Sequence, residues 1–156
     1  MMYQSNFMAT AAQLAMDNVT SGDGGPFGCV IVKDNQVIAQ GHNQVLIDHD
    51  PTAHGEIVAI RRAGQVLKTH DLTGCVLYTS AYPCPMCLSA IIWANIKTVY
   101  YGNTAKDAAE IGFRDDAIYQ YIEAGLEGPT LNLSQHDRSL TLPAFTAYQD
   151  QQRTLY

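Results

Sequence analysis

Between Asn6 and about Thr20, apolar side chains recur every three or four positions, at Met8, Ala11, Ala12, Ala15, Met16 and Val19. That is the period of a helix with one buried face, and it predicts a first helix whose stripe enters the core. Gly22-Asp23-Gly24-Gly25-Pro26 then marks a turn. After it the pattern shortens. Cys29-Val30-Ile31-Val32 and Val37-Ile38-Ala39 flank the polar Lys33-Asp34-Asn35-Gln36, as in an antiparallel hairpin. Pro51-Thr52 introduces a second helix that runs to about Lys68. Cys75-Val76-Leu77-Tyr78-Thr79 has the make-up of a buried strand, and a helix over residues 84–94 begins beside Pro85. Thr98-Val99-Tyr100-Tyr101-Gly102 is a further strand, and residues 116–123 read as helix. The order αββαβαβα predicts one mixed sheet with helices on both faces. Ala124-Gly125-Leu126-Glu127-Gly128-Pro129 breaks the pattern. Beyond it, Leu140, Leu142, Phe145 and Tyr148 would cover a groove on this chain or on a partner.

Length and charge narrow the functional classes. The 156 residues fit one domain with a single substantial core. No stretch approaches the roughly 20 apolar residues of a membrane span, and the start, Met1-Met2-Tyr3-Gln4-Ser5-Asn6, lacks the basic beginning of a signal peptide. Nine Lys and Arg against 15 Asp and Glu give a net charge of −6. Polynucleotide binding relies on Lys and Arg neutralising phosphates, so the balance disfavours a nucleic-acid partner and favours a small molecule. Arg61 and Arg62 read as residues of a solvated helix face. Cys29 and Cys75 lie in strand-like runs and read as buried apolar residues. A reducing, cytoplasmic setting is expected.

The chemistry is concentrated in two short segments, His54-Gly55-Glu56 and Pro83-Cys84-Pro85-Met86-Cys87. One imidazole and two thiolates suit a tetrahedral Zn2+ ion with its fourth position left for water. Cys84 and Cys87 are three apart and share a helix face, and a helix N-terminus favours thiolate over thiol. Glu56 lies two residues beyond the histidine, in the same first turn, and is the candidate carboxylate for moving that water's protons. A redox Cys-x-x-Cys gives no reason for His54 and Glu56. A structural zinc site needs a fourth ligand, and no second Cys-x-x-Cys or His-x-His is present. His42, His49, His70 and His136 have no ligand spacing and read as surface or loop residues.

The resemblance extends beyond the metal motif. H-x-E…P-C-x-x-C is a signature of zinc deaminases. Together with Gly24-Gly25-Pro26-Phe27-Gly28-Cys29-Val30-Ile31-Val32, Gly41-His42-Asn43, Asp50-Pro51-Thr52-Ala53 and Tyr78-Thr79-Ser80, it resembles the cytidine deaminase superfamily. Ile111-Gly112-Phe113-Arg114-Asp115-Asp116 and the closing Leu155-Tyr156 look most like its guanine deaminase branch, guanosine deaminases included. The resemblance implies an α/β fold, a three-layer α/β/α sandwich around a five-stranded mixed sheet. It implies a single zinc-dependent deaminase domain over residues 1–156, working as a homodimer whose segments 129–156 exchange and close the partner's site. It places Phe27 and Asn43 against a purine, Trp93 in the pocket lining, Asp115 at the base edge and Tyr156 in the exchanged tail. The implied reaction is hydrolytic deamination of guanine to xanthine and ammonia.

Each of these contacts has a plainer reading: a turn cap for Asn43, core aromatics for Phe27 and Trp93, a helix start for Asp115, and a frayed end for Tyr156. Ala81-Tyr82 stands where the branch usually has Cys-Glu, which leaves open a guanine nucleoside, a pterin or an aminotriazine as substrate. A tRNA adenosine deaminase and a non-catalytic zinc protein remain as further alternatives. The first is disfavoured by the acidic charge, and the second leaves Glu56 without a purpose.

Overall fold

The structure is a computed structural model that describes residues 2–156. Its elements, in chain order, are α1 (Ser5–Ser21), β1 (Gly28–Lys33), β2 (Gln36–His42), α2 (Gly55–Leu67), β3 (Val76–Ala81), α3 (Pro85–Trp93), β4 (Thr98–Asn103), α4 (Ala105–Glu110), α5 (Asp115–Glu123) and α6 (Arg138–Gln149). The chain divides into two compact units. The first ends at Gln120 and the second is Tyr121–Tyr156. No described helix is long and apolar enough to cross a membrane.

The first unit is built on a mixed sheet of order β2-β1-β3-β4, antiparallel except for the β3–β4 pair. Alternation along the central strands sorts its side chains onto two faces. Cys29 and Ile31 of β1 and Leu77 of β3 join one buried cluster with Ala59 and Ala63 of α2 and Ile91 of α3. Val30, Val32, Val76 and Tyr78 enter a second cluster with Phe7 and Ala11 of α1. The three-layer α/β/α arrangement is therefore present.

Two sequence expectations are corrected. The sheet of the described residues has four strands, where five were implied. Immediately after β4, Thr104 and Asp107 form a capping box: the Thr104 hydroxyl accepts from Asp107 N–H, and the Asp107 carboxylate accepts from Thr104 N–H. The chain thus enters a helix where a strand would have to begin. The α1 stripe is also rotated. Phe7, Ala11 and Asn18 are buried, whereas Ala12, Met16 and Val19 are exposed. Positions 7, 11, 14 and 18 have helical spacing as well, but Asn18 turns inward because it has hydrogen-bond partners there.

Close backbone approach seats α2 on the sheet. A Cβ at Gly41 of β2 would overlap the Gly55 carbonyl oxygen and lie 2.7 Å from Ala59 N. Only glycine lets this strand meet the first turns of α2. The residues that open α2 are thereby held over the C-terminal part of β2.

In the second unit, α6 begins after Asp137 and contains Pro143, and its apolar side chains Leu140 and Phe145 are exposed. The sequence pattern did not reveal this helix, because an internal proline argues against one.

Candidate active site

His54 is the N-cap of α2 and Cys84 the N-cap of α3. Both have extended backbone conformation, and Pro85 fills the first position of α3. The two helix N-termini converge there. Cys87, one turn into α3, donates its backbone N–H to Cys84 Sγ. The donor atoms of His54, Cys84 and Cys87 all lie within 4.8 Å of one another.

The spacing fits zinc. Sulfur and nitrogen ligands at tetrahedral angles, with Zn–S near 2.3 Å and Zn–N near 2.0–2.1 Å, lie about 3.6 Å apart. His54 Nδ1 and Cys84 Sγ are 3.5 Å apart. The electrostatics favour a cation as well. Hydrogen bonds from the Cys87 thiol and from His54 lower the Cys84 thiol to about 4 against the opposing effect of burial, whereas the same Cys84 contact and burial push Cys87 up. A divalent ion at the centre removes that asymmetry, because a coordinating thiol is deprotonated. The hydrogen bond to Cys84 likewise raises His54 against the effect of burial.

Glu56 is 6% exposed. Burial raises its carboxyl above the ordinary range, and the Thr79 hydroxyl partly offsets this by donating to Oε1 at 2.7 Å. The carboxyl also borders a cavity of about 430 Å³, together with His54 and Cys84. Phe27, Asn43 and Asp115 line the same cavity. Phe27 meets Phe113 edge to face, with centroids 4.8 Å apart, so one wall is aromatic. Asn43 accepts Val45 N–H on Oδ1 at 3.1 Å. Asp115 opens α5, and burial raises its carboxyl.

The structure thus gathers His54, Glu56, Cys84, Cys87, Phe27, Asn43 and Asp115. One expected contact lies outside this lining. Trp93, at the end of α3, is 63% exposed and is outside the cavity lining. The cause is helix length, since nine residues of α3 carry it away from the N-terminal end that holds the cysteines. Tyr156 is an exposed residue of the second unit.

Sequence reasoning missed Thr79 and Asn18. Asn18 is buried on α1, and its Nδ2 donates to Gly25 O at 2.8 Å and to Asn43 O at 2.7 Å. It therefore ties together the loop before Phe27 and the loop bearing Asn43. A polar residue inside an otherwise apolar helix face was the available signal. Tyr82 also lines the cavity and packs edge to face on Tyr101, with centroids 4.9 Å apart.

Comparison with known proteins agrees with this site. The family described as "Cytidine and deoxycytidylate deaminase zinc-binding region" matches residues 1–103. The guanine deaminase of Bacillus subtilis (strain 168) is 46% identical over 149 residues, 96% of each chain. A crystal structure of guanine deaminase from Bacillus subtilis superposes with a TM-score of 0.90 and 43% identity, covering 99% of each chain. A tRNA-specific adenosine deaminase of Buchnera aphidicola subsp. Schizaphis graminum is 34% identical over 111 residues, 71% of this chain and 70% of that one. A structure solved in complex with 2,6-diaminopurine matches with a TM-score of 0.65 and 34% identity, over 70% of this chain and 61% of the other. With a matching zinc site and near full-length similarity to a deaminase, the chain belongs to the cytidine and deoxycytidylate deaminase family, as a zinc-dependent aminohydrolase.

Proposed function

We propose that the protein hydrolyses guanine to xanthine and ammonia. The observation that carries this reading is a buried carboxylate beside the His54-Cys84-Cys87 cradle, opening into a cavity with an aromatic wall and an amide. His54, Cys84 and Cys87 would hold zinc, which would supply a water that ionises near neutral pH. Glu56 takes a proton from the attacking water. It delivers that proton to the ring nitrogen beside the attacked carbon, then takes the second proton from the added hydroxyl and passes it to the departing amino nitrogen. Water adds at the carbon, the C–N bond breaks, and the amine leaves as ammonia. Phe27 and Phe113 suit the flat face of a purine. With its Oδ1 bonded to Val45 N–H, Asn43 offers its amide N–H2 to an acceptor on the base. Asp115 lines the same cavity and suits the base edge, where its carboxylate would accept from ring and amino N–H groups. Likeness to guanine deaminase over 96% of the chain supports the same substrate.

A second reading keeps the chemistry and changes the base to a guanine nucleoside, pterin or aminotriazine. Tyr82 motivates it, because a phenol in the cavity wall has no ionised carboxylate to offer a purine amine. An ammonia-release screen over guanine, guanosine, adenine, cytosine, cytidine, pterins and aminotriazines decides between the two. Guanine with the highest kcat/KM is the expected result. A higher value for another heterocycle replaces guanine, and salt-dependent RNA binding would favour a polynucleotide substrate instead.

The working unit in this reading is a homodimer in the cytoplasm, in which residues 129–156 exchange and Tyr156 covers the partner's site. The exposed Leu140, Phe145 and Leu155 are apolar surface that such an exchange would bury.

A further inference from the structure

Thr79 interrupts an apolar face. It follows Leu77 by two positions on β3, so it points into the cluster formed with α2 and α3. It is 1% exposed. A hydroxyl in such a place needs a partner. Two acceptors lie within reach, Glu56 Oε1 at 2.7 Å and Ala81 O at 3.2 Å. The hydroxyl carries one proton, and the shorter contact to the carboxylate takes it. β3 is a central strand, paired with β1 through Cys29 and with β4 through Tyr101 at this residue, so the hydroxyl is carried on a strand held on both sides.

We propose that Thr79 is the positioning residue for Glu56: by holding Oε1, it leaves Oε2 as the oxygen that takes the proton from water and returns it to the substrate. This rests on Glu56 being the proton carrier of the deamination proposed above. Without the hydroxyl, the terminal torsion of a glutamate is broad and nearly two-fold, and the carboxyl would share its time among orientations. Thr79 borders neither the zinc ligands' donor cluster nor the substrate cavity, so it acts only through Glu56.

The test compares Thr79→Val, Thr79→Ser and wild type on the best amino-heterocycle, with zinc content and thermal stability measured on each. Valine keeps the shape and loses the hydroxyl, and serine does the reverse. The expected result is a kcat for Thr79→Val lower by about tenfold or more, the effect of one hydrogen bond to a charged group, with KM and zinc content unchanged. Thr79→Ser should stay within roughly twofold of wild type in kcat while losing more stability than the valine variant, because it leaves a methyl-sized void. Thr79→Ala supplies a second hydroxyl-free variant should the valine fail to fold. Wild-type kcat in Thr79→Val overturns the proposal, as does an equal fall in the serine and valine variants, which would mean a purely structural role. A wild-type protein that releases no ammonia from any heterocycle overturns the deaminase reading together with this one, and so is told apart from a failure of Thr79 alone.

Discussion

At Glu56 two requirements oppose each other. Burial raises the carboxyl and favours its neutral form, while the Thr79 hydroxyl favours the ionised one. A proton carrier works best when neither form dominates. The neighbouring ligands are simpler. Cys84→Ala combined with Cys87→Ala should remove stoichiometric zinc, read by metal analysis of the purified protein, because one histidine remains of three donors. Gly24 is a less obvious position. A Cβ there would overlap Asn43 Oδ1 and lie 2.8 Å from the Asn43 carbonyl. Gly24→Ala should displace Asn43 and raise KM for the base about tenfold, with zinc content unchanged. The ligand residues were legible in the sequence because metal coordination imposes a fixed spacing. Thr79 and Asn18 were not, since what they do is defined by partners 23 and 25 residues away in the chain.

The elements that carry chemistry are those whose ends are capped by it. His54 and Cys84 are N-caps, so one residue both starts its helix and ligates the metal. That coincidence made α2 and α3 readable to within a residue or two. The α1 stripe of apolar residues lies a fraction of a turn from the buried face, because the buried face includes Asn18, a polar residue that donates two hydrogen bonds there. Asn18→Ala should leave the Asn43 carbonyl without its side-chain donor and remove one of two donors from the Gly25 carbonyl, which keeps Phe27 N–H. A loss of about 1–3 kcal/mol in denaturant unfolding is expected, together with a higher KM, since both cavity loops depend on that side chain. Unchanged stability would show that these carbonyls find other donors. The α4 helix is short and was hidden by its length, although its Thr104–Asp107 capping box was visible in the sequence.

On the scale of the molecule, the first unit holds His54, Cys84, Cys87 and the buried Glu56, and the second unit presents apolar side chains to solvent. The resemblance implied five strands and the described residues form four, while the α/β/α layering stands. Composition could not distinguish these alternatives, because a fifth strand depends on what the chain does after β4. If residues 129–156 are exchanged, light scattering at micromolar concentration should give a dimer. Deleting Leu155 and Tyr156 should lower kcat/KM for the base while leaving zinc content and thermal stability nearly unchanged. A monomer, or a truncated enzyme as efficient as the full chain, would remove the tail from the active site. The most direct measurement for the account as a whole is xanthine formation from guanine by zinc-loaded wild type and by Glu56→Gln at matched zinc content. Turnover with one ammonia per xanthine is expected in the wild type, and a kcat lower by roughly 10²–10⁴-fold in the variant. No xanthine from the zinc-loaded wild type, or equal turnover by the two proteins, would contradict it.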